Sequence, residues 1–264
     1  MGRAAAGQAV PAAVRAAAGG APLRLVWRNA VGGLTFTAGS GAQRRFLKWA
    51  PAGSGLDLGA EARRLAWAVA FTPVPRVLDQ GTDATGSWLV TAALAGGSAV
   101  AGRWRRTPPL AVDAIGHGLR ALHDALPTDR CPFSWSAAER LADARRRADR
   151  GDIDPTQWHP EHRRLQAAQA LRRLEAVPPV DRLVVCHGDA CTPNTLLTAR
   201  GRWSGHVDLG SLGVGDRWAD LAIATWSVTW NYGPGWEDRL LAAYGVTADP
   251  QRIRYYRLLW DLDP

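Results

Sequence analysis

Apolar and polar residues alternate over short runs in the first third of the chain, a pattern typical of β-strands. We predict strands over residues 23–27, 34–37 and 45–49, and a further strand in the run SWLVTAAL at residues 87–94. A helix is predicted in DLGAEARRLAWAVA, between the Pro- and Gly-containing segments PAGSG and TPVP. The Ala/Gly-rich residues 1–20 are predicted to form a flexible or weakly helical leader.

After the segment AGGS at residues 95–98, the apolar spacing becomes helical. Apolar residues at 112, 115, 119, 122 and 126 define a helix with one buried face. Ser136 and Glu139 have the spacing of a capping box that begins another helix. A helix is also predicted within residues 161–177. Three β-like runs, RLVVC, NTLLT and RWSGHVDL, precede two or three helices that end the sequence.

These elements predict an α+β protein with two lobes and a cleft between them. The expected parts are the leader at 1–20, a small β-rich N-terminal lobe at 21–94 and a larger, mainly helical C-terminal lobe at 95–264. The glycines of the segment 95–98 make it the best candidate for a hinge.

The composition excludes several classes of protein. With 264 residues, 47% of them hydrophobic, the chain can bury a sizeable core, and it is neither disordered nor collagenous. Three cysteines in a chain of this length indicate a reducing compartment. No apolar run approaches the roughly 20 residues of a membrane span, and the first residues lack the apolar region of a signal peptide. We therefore expect a cytoplasmic protein with no membrane partner.

The net charge suggests a nucleic-acid partner, but the distribution of charge along the chain argues against one. The net charge is +8 and the pI is near 10.3. From residue 183 onward, however, nine acidic residues outnumber seven arginines, so residues 1–182 carry the positive surplus. Much of it lies in stretches such as RLADARRRADR, typical of a solvated helix face. The 13 tryptophans are more typical of a bias in amino-acid composition than of a surface on which nucleic-acid bases stack. We expect no nucleic-acid partner.

The run HGDACTPN carries the strongest chemical signal. Asn194 follows Asp189 by five residues, and Asp208-Leu209-Gly210 follows fourteen residues after Asn194. Protein kinases use H-R-D-x-x-x-x-N followed by D-F-G, in which one Asp orients the attacking hydroxyl and the Asn and second Asp bind Mg²⁺. A tight turn at HGD and a capping role for Asp208 are the structural alternative. The combined order and spacing favour phosphoryl transfer.

Two further groups of residues could bind phosphate or a metal ion. Lys48 lies on a predicted strand and Glu61 in the following helix, as in the kinase pair that binds the α- and β-phosphates. Cys186, His187 and Cys191 could suggest a zinc site, but their spacing fits no common zinc pattern. We expect Cys186 to be a core residue and His187 to hold the loop backbone.

Several motifs, in order from about residue 44 to the end, resemble the aminoglycoside phosphotransferases, especially the 3′- and 3″-O-phosphotransferases. They include FLKWAP, LDLGAEARRLAW, PVPRVLDQG, LHDALPTDRCPF, HGDACTPN and GHVDLGSLGVGDRWADLAIA. The resemblance implies a protein-kinase-like fold and phosphorylation of an antibiotic hydroxyl by ATP or GTP with Mg²⁺. We expect an enzyme that is a monomer or a weak dimer.

The resemblance assigns roles to individual positions. Asp189 corresponds to the catalytic aspartate, Asn194 and Asp208 to the magnesium ligands, and Lys48 with Glu61 to the phosphate-binding pair. The remaining implied positions are Thr91 and Ala93 for adenine, Gly32 and Gly33 for the nucleotide loop, Asp154, Glu161, Asp261 and Asp263 for the drug, and His187, Arg217 and Asp220 as support.

This sequence departs from the family pattern in three places. The tail WDLDP replaces an acidic-aromatic ending, although Asp261 and Asp263 preserve negative charge. The nucleotide loop RNAVGGLTF lacks the usual hydroxyl residue, although Gly32 and Gly33 still permit close approach to phosphate. Thr156 and His159 occupy places where the family often has glutamates, so the drug pocket is expected to be less acidic. Two alternatives stay open: a kinase of another small hydroxyl compound, and a nucleotide-binding module that has lost catalysis.

Overall fold

The structure is a computed structural model that describes residues 9–263. The chain divides into two compact units. The first contains the chain up to Ala95 together with His206–Gly210, and the second contains Gly96–Gly205 and the chain from Ser211 onward. The division after Ala95 lies one residue from the boundary expected from the sequence. The grouping of residues 206–210 with the first unit was not predicted, because it depends on a long-range return of the chain.

The first unit is built on an antiparallel sheet of five strands in the order β1-β2-β3-β5-β4. The strands are β1 (Leu23–Arg28), β2 (Leu34–Ala38), β3 (Arg45–Pro51), β4 (Val77–Asp83) and β5 (Gly86–Ala92). Four of them lie where the alternating pattern predicted strands. Strand β4 was missed because it is an edge strand of mostly exposed residues, so its sequence carries no apolar alternation.

Two helices accompany this sheet, α1 (Ala12–Ala17) and α2 (Leu58–Ala68). Helix α2 begins after Asp57, whose carboxylate accepts the backbone N–H of Ala60 at 2.7 Å. In α1, the Val14 side chain is fully buried in the cluster that contains Phe36 and Leu47. The sequence had predicted a flexible or weakly helical leader over residues 1–20. Within it, residues 12–17 form a helix that packs against the sheet, and residues 1–8 lie outside the described residues.

The second unit is mainly helical. Its helices are α3 (Gly102–Arg105), α4 (Pro108–Ala125), α5 (Ala137–Asp149), α6 (Ala167–Leu174), α7 (Trp218–Tyr232), α8 (Glu237–Tyr244) and α9 (Pro250–Leu262). Strands β6 (Gly97–Ser98), β8 (Thr195–Leu197) and β9 (Trp203–His206) form one small sheet. Strands β7 (Leu183–Cys186) and β10 (Gly213–Asp216) form an antiparallel pair. No helix among residues 9–263 is long and apolar enough to cross a membrane.

The helical predictions for this unit are mostly confirmed. All five apolar positions of the stripe from Val112 to Leu126 are buried. The hydroxyl of Ser136 accepts the N–H of Glu139 at 3.3 Å, so α5 begins where the capping box predicted. The helix expected within residues 161–177 is shorter, because a Gln166–Gln169 capping box begins it only at Ala167. Strand β10 escaped prediction because its sequence, GVGD, has two glycines in four residues.

Candidate active site

In the first unit, Lys48 is held by two carboxylates. Its Nζ lies 2.7 and 2.8 Å from the two carboxylate oxygens of Glu61 and 2.6 Å from Oδ1 of Asp208. Burial alone would lower the pKa of this ammonium group, but the charges of Glu61 and Asp208 outweigh it, so the pKa is raised and Lys48 stays cationic. Lys48 is also the single lysine of the sequence. One cation between two anions leaves the group with a net negative charge.

The backbone at Asp208 explains how its carboxylate is presented. Asp208 has φ = 69°, and among residues 9–263 it is the one residue other than glycine with positive φ. This left-handed conformation is uncommon for residues with a side chain and is tolerated best by Asn and Asp. The Asp208 side chain bonds to Lys48 while 51% of its surface remains exposed. A residue held in this way is a candidate for ion or phosphate binding.

The turn between β1 and β2 contains the two glycines predicted to approach the nucleotide. Gly32 has φ = 87°, which suits glycine, and a Cβ on Gly33 would lie 2.6 Å from the side-chain nitrogen of Asn29. The Oδ1 of Asn29 accepts the Gly33 N–H at 2.6 Å, and its backbone oxygen accepts the Gly32 N–H at 3.4 Å. Asn29 therefore closes the turn in the absence of the usual hydroxyl residue, and both amides are used inside it.

Strand β5 and the residues that follow it contain the positions predicted to face adenine. Thr91 lies between Phe46 of β3 and Val77 of β4 in the sheet register. The N–H of Ala93 donates to the backbone oxygen of Arg44 at 2.9 Å. The amide expected to bind adenine is thus paired with the neighbouring chain segment.

In the second unit, the segment HGDACTPN follows β7 and its backbone is anchored by Asp220 of α7. The Asp220 carboxylate accepts the N–H of His187 at 2.6 Å and the N–H of Gly188 at 3.0 Å. Gly188 has φ = 82°, and a Cβ there would lie 2.2 Å from the backbone oxygen of Ser211. Only glycine fits this turn. We call residues 187–194 the catalytic loop below.

The anchor itself is part of a buried hydrogen-bonded chain. Asp220 also lies 2.9 Å from Nε2 of His123, whose Nδ1 lies 2.8 Å from the Tyr244 hydroxyl. Burial raises the pKa of the Asp220 carboxyl, but the donors and charges of His123 and His187 outweigh it, so the pKa is lowered. Burial also raises the pKa of Tyr244 to about 12, so its hydroxyl stays protonated. An ionised carboxylate therefore fixes the start of the catalytic loop.

Within the loop, Asp189 and Asn194 are bonded to each other. The Nδ2 of Asn194 donates to Oδ2 of Asp189 at 2.9 Å and to its backbone oxygen at 3.0 Å. Because two oxygens surround Nδ2, the network assigns the other amide atom of Asn194 as the oxygen and directs it away from Asp189. The N–H of Asp189 donates to Nδ1 of His187 at 3.2 Å, a contact with the loop backbone of the kind expected for His187.

Side chains from two other segments hold the second half of the loop. The Thr192 N–H donates to the Ser227 hydroxyl of α7 at 2.8 Å, and the Ser98 hydroxyl donates to the backbone oxygen of Pro193 at 2.8 Å. The loop is thus attached at both ends, which fixes the position of Asp189 between them. Rigid placement of an acceptor for the hydroxyl proton is what phosphoryl transfer requires.

Arg217 has a different role from Asp220. Its Nε donates to the Asp181 carboxylate at 2.6 Å, which also accepts the indole N–H of Trp218 at 2.8 Å. These groups line a cavity of about 550 Å³ together with residues 245–250, and no catalytic-loop residue lines it. Arg217 therefore supports the start of α7. It supports the catalytic loop only indirectly, through α7.

The four carboxylates predicted to bind the drug are placed very differently. Asp261 is largely buried, accepting the N–H of His159 at 3.2 Å and facing Nδ1 of His162 at 2.6 Å. Asp263 is paired with buried Arg140, with Nε at 3.3 Å from its carboxylate. Both therefore stabilise the fold around α9, and the Asp263 charge is compensated.

Asp154 and Glu161 are exposed. The Asp154 carboxylate accepts both the N–H and the hydroxyl of Thr156, and these bonds lower its pKa. Glu161 lies 3.9 Å from Nδ1 of His159. Of the four predicted carboxylates, these two can reach a cationic ligand from solvent.

Cys186 lies fully buried at the end of β7, with its thiol 3.4 Å from the backbone oxygen of Asp216. Burial raises the pKa of this thiol, which disfavours the thiolate that zinc requires.

Comparison with known proteins decides the family. A family model described as the phosphotransferase enzyme family matches residues 29–256. The chain belongs to this family. It is 38% identical over 221 residues to an aminoglycoside 3′-phosphotransferase of Streptomyces fradiae, covering 80% of this chain and 81% of that protein. It is 37% identical over 227 residues to a streptomycin 3″-kinase of Streptomyces griseus, covering 80% and 82%.

Solved structures agree with this phosphotransferase assignment. An aminoglycoside 3′-phosphotransferase of type VIII has a TM-score of 0.81 at 34% identity, with 95% of this chain and 97% of that chain covered. The phosphotransferase APH(3″)-Id of Streptomyces rimosus has a TM-score of 0.80 at 31% identity, covering 95% and 96%, and it has also been solved with ADP and streptomycin. The α+β, protein-kinase-like fold implied by the resemblance is thereby confirmed.

Several residues that build this phosphotransferase site were not singled out from the sequence. They are Asn29, Ser98, His123, Ser227 and Tyr244. Only His123 gave a usable signal: it lies four residues after Leu119 on the apolar face of α4, and a polar residue on a buried face requires a partner. Ser98, Ser227 and Tyr244 contact segments that are distant in the sequence, which local sequence does not reveal, and Asn29 acts within its own turn.

Proposed function

We propose that this chain transfers the γ-phosphoryl group of ATP to a hydroxyl of an aminoglycoside antibiotic and so confers resistance or protects a producer. The observation that supports this most directly is the placement of Lys48, the single lysine, against both Glu61 and Asp208. A module that had lost catalysis would not need to retain this group together with Asp189 on an anchored loop. The names of the relatives supply the substrate class.

In the proposed reaction, Lys48 contacts the α- and β-phosphates and Glu61 keeps the ammonium group in place. Asp189 accepts a hydrogen bond from the acceptor hydroxyl. The hydroxyl oxygen forms a bond to the γ-phosphorus as the bond to the bridging oxygen of ADP breaks, and the hydroxyl proton passes to Asp189. Because the transition state is loose, positioning contributes more than proton removal.

The donor set of Asn194 and Asp208 fits Mg²⁺, because an amide oxygen and a carboxylate are the hard oxygen ligands that this ion prefers. The net negative charge of the Lys48, Glu61 and Asp208 group also favours a cation there. When bound, Mg²⁺ neutralises phosphate charge. Asn194 would contribute its side-chain amide oxygen, which points away from Asp189. Asp208 would contribute the exposed part of its carboxylate.

The finer assignments are also part of the proposal. The Gly32-Gly33 turn covers the phosphates, and the chain around Thr91 and Ala93 faces adenine. The backbone N–H of Ala93 donates to Arg44, so this hydrogen bond has to break if the N–H is to bind the base. GTP is a second possible donor. The small number of cysteines in the sequence supports reducing conditions and a cytoplasmic enzyme, and we propose a monomer or weak dimer with no nucleic-acid partner.

For the acceptor, we propose that Glu161 and Asp154 bind ammonium groups directly. Asp261 acts by positioning the segment that contains His159 and His162. Asp263 was also predicted to bind the drug, but its ion pair with Arg140 makes it the weakest of the four candidates.

The test is a coupled phosphorylation assay with ATP and with GTP over a panel of aminoglycosides, peptide antibiotics and macrolides. Turnover with at least one aminoglycoside is expected. Turnover only with another class would favour the alternative kinase, and nucleotide binding without turnover would favour a module that has lost catalysis.

A second measurement uses the single lysine. Lys48→Arg keeps a positive charge between the two carboxylates but replaces the compact ammonium group with a larger, planar guanidinium group. We expect kcat/KM for ATP to fall about tenfold or more in Lys48→Arg, because the phosphate contacts are assigned to the ammonium group. A parental kcat/KM for ATP in this variant would exclude Lys48 from the nucleotide site.

A further inference from the structure

Three aromatic side chains of the second unit form a stack, which we call the aromatic shelf: Trp226 and Trp230 of α7, and His159. The ring centroids of His159 and Trp226 are 4.3 Å apart, those of Trp226 and Trp230 are 5.5 Å apart, and those of His159 and Trp230 are 6.0 Å apart. Interplanar angles of 31–36° place all three rings in similar orientations. The shelf is thus one continuous aromatic surface.

The shelf borders the catalytic loop. Trp226 and Trp230 are four residues apart, so they share one face of α7. The adjoining positions Ser227 and Asn231 share the next face, where Ser227 accepts the N–H of Thr192 and Asn231 donates to the Ser227 backbone oxygen at 2.8 Å. One helix therefore carries the aromatic rings beside the residues that hold the loop containing Asp189.

Trp230 is the part of the shelf that a ligand can reach. Its side chain is among the exposed large apolar groups at 48%, whereas Trp226 beneath it is buried. An exposed tryptophan supported by other rings is preorganised, because its rotamer is already fixed by packing. Such a residue on the helix that anchors the catalytic loop is more suited to binding a ligand than to stabilising the fold.

The charges around the shelf suit a sugar that carries an ammonium group. Burial lowers the pKa of His159, although Asp261 and Glu161 oppose this, so its ring is neutral at physiological pH. Arg257, whose guanidinium lies 5.1 Å from the Trp226 ring, is paired with Glu237 at 2.9 Å. Glu161 is an exposed carboxylate beside His159. The surface thus combines neutral rings with one carboxylate at its border.

We propose that the aromatic shelf binds the acceptor, with a sugar ring stacked on Trp230 and an adjacent ammonium group held by Glu161. This deepens the proposed function and rests on it. The C–H face of a sugar ring is apolar and packs against the face of an aromatic ring. The shelf therefore selects acceptors that present a flat amino-sugar ring, and it supplies binding that salt does not screen.

The experiment compares Trp230→Ala and Trp230→Phe with the parent, using Trp27→Ala as the matched control. Trp27 is a tryptophan of similar exposure (49%) on β1, in the other unit. We expect Trp230→Ala to raise the aminoglycoside KM about tenfold and leave the ATP KM unchanged. Trp230→Phe should restore most of the affinity, because phenylalanine keeps an aromatic face. Trp27→Ala should match the parent.

The salt dependence separates stacking from charge. The KM ratio of Trp230→Ala to the parent should stay constant between low and high ionic strength, because stacking is not screened. The same ratio for Glu161→Gln should fall toward one. Equal aminoglycoside KM values for Trp230→Ala and the parent would overturn the proposal.

A binding measurement distinguishes this proposal from the proposed function. Titrating an aminoglycoside into the ADP-bound protein should change tryptophan fluorescence in the parent and change it much less in Trp230→Phe. If the parent binds the drug with this signal but never phosphorylates it, the proposed function fails and the shelf stands. If the parent is active but Trp230→Phe keeps the full signal, the shelf proposal fails alone. Absence of any aminoglycoside binding by the parent overturns both.

Discussion

The Oδ2 atom of Asp220 accepts a 2.6 Å hydrogen bond from the backbone N–H of His187, although 33 residues separate the two positions. The other carboxylate oxygen accepts a hydrogen bond from the next backbone N–H, that of Gly188. Asp220 is thus a positioning residue: it sets the start of the loop that presents Asp189 without itself being assigned a contact to the substrate. Two backbone donors and one imidazole satisfy a carboxylate that is almost fully buried.

Asp220→Asn should lower both stability and turnover. An amide can accept only through its oxygen, so at least one buried donor is left without an acceptor, at a cost of about 1–3 kcal/mol. We expect the free energy of unfolding in urea to fall by that amount and kcat to fall about tenfold or more. The control Asp113→Asn removes an exposed ion pair with Arg239 and should leave stability nearly unchanged, because solvent screens such a pair. Equal effects of the two variants would contradict the anchoring role.

The lowered pKa of Asp220 also predicts a pH dependence. A carboxyl whose pKa is lower in the folded state stabilises the protein at pH values above its unfolded pKa, near 3.8. This contribution is lost as the pH falls through the lower, folded pKa. The difference in unfolding free energy between the parent and Asp220→Asn should therefore be constant from pH 8 to about pH 5 and shrink below about pH 4. Urea titrations at a series of pH values measure it, and a constant difference down to pH 3 would refute it.

Asp189→Asn tests the chemical step. The substitution keeps the side-chain volume but removes the charge and the proton acceptor, so we expect kcat to fall by about 10²-fold or more. Nucleotide affinity should change little, because the assigned phosphate contacts come from Lys48. Measuring kcat together with ADP binding separates the two effects. A variant with near-parental turnover would remove Asp189 from the mechanism.

The sequence singled out the candidate chemical groups more readily than the residues that support them. HGDACTPN, Lys48 and Asp208 were found because their spacing is fixed by the reaction. Asp220 was recognised only through the family resemblance, and its partners His123 and Tyr244 were missed. The buried position of His123 on α4 indicates that it needs a partner, but a pairing over about 100 residues leaves no local pattern that identifies the partner. The importance of Trp230 was also missed, since composition alone made the 13 tryptophans read as residue bias.

Differences in the fold have equally physical causes. Strand β4 is exposed and lacks alternation, while α6 is shortened by its own capping residues and by the bonds of Asp261 to the segment before it. The two drug-site carboxylates near the C-terminus were predicted from their charge. Their partners, His162 and Arg140, lie about 100 residues earlier in the sequence, so their use as structural anchors could not be seen there.

Removing either proposed metal ligand should change the Mg²⁺ dependence of the reaction. Asp208→Ala deletes a carboxylate and also releases Lys48 from one partner, so activity should be lost. Asn194→Ala should retain weak activity that needs a higher Mg²⁺ concentration for half-maximal rate. The matched control is Asp113→Ala, which removes a partly exposed aspartate of α4 outside the proposed ligand set. Parental Mg²⁺ titration curves for both Asp208→Ala and Asn194→Ala would show that the ligand assignment is wrong.

Of two carboxylates that looked equivalent in the sequence, Glu161 should contribute to binding of the drug and Asp263 should not. Glu161 is exposed beside His159, so Glu161→Gln should raise the aminoglycoside KM severalfold and reduce its dependence on ionic strength, because a screened attraction has been removed. The charge of Asp263 is already compensated by Arg140, so Asp263→Asn should leave the drug KM unchanged and act mainly on stability. Steady-state kinetics across a salt series, with the ATP KM as internal control, compares the two directly. If Asp263→Asn weakened drug binding while Glu161→Gln did not, the acceptor would have to bind through the carboxylates near the C-terminus and not beside the aromatic shelf.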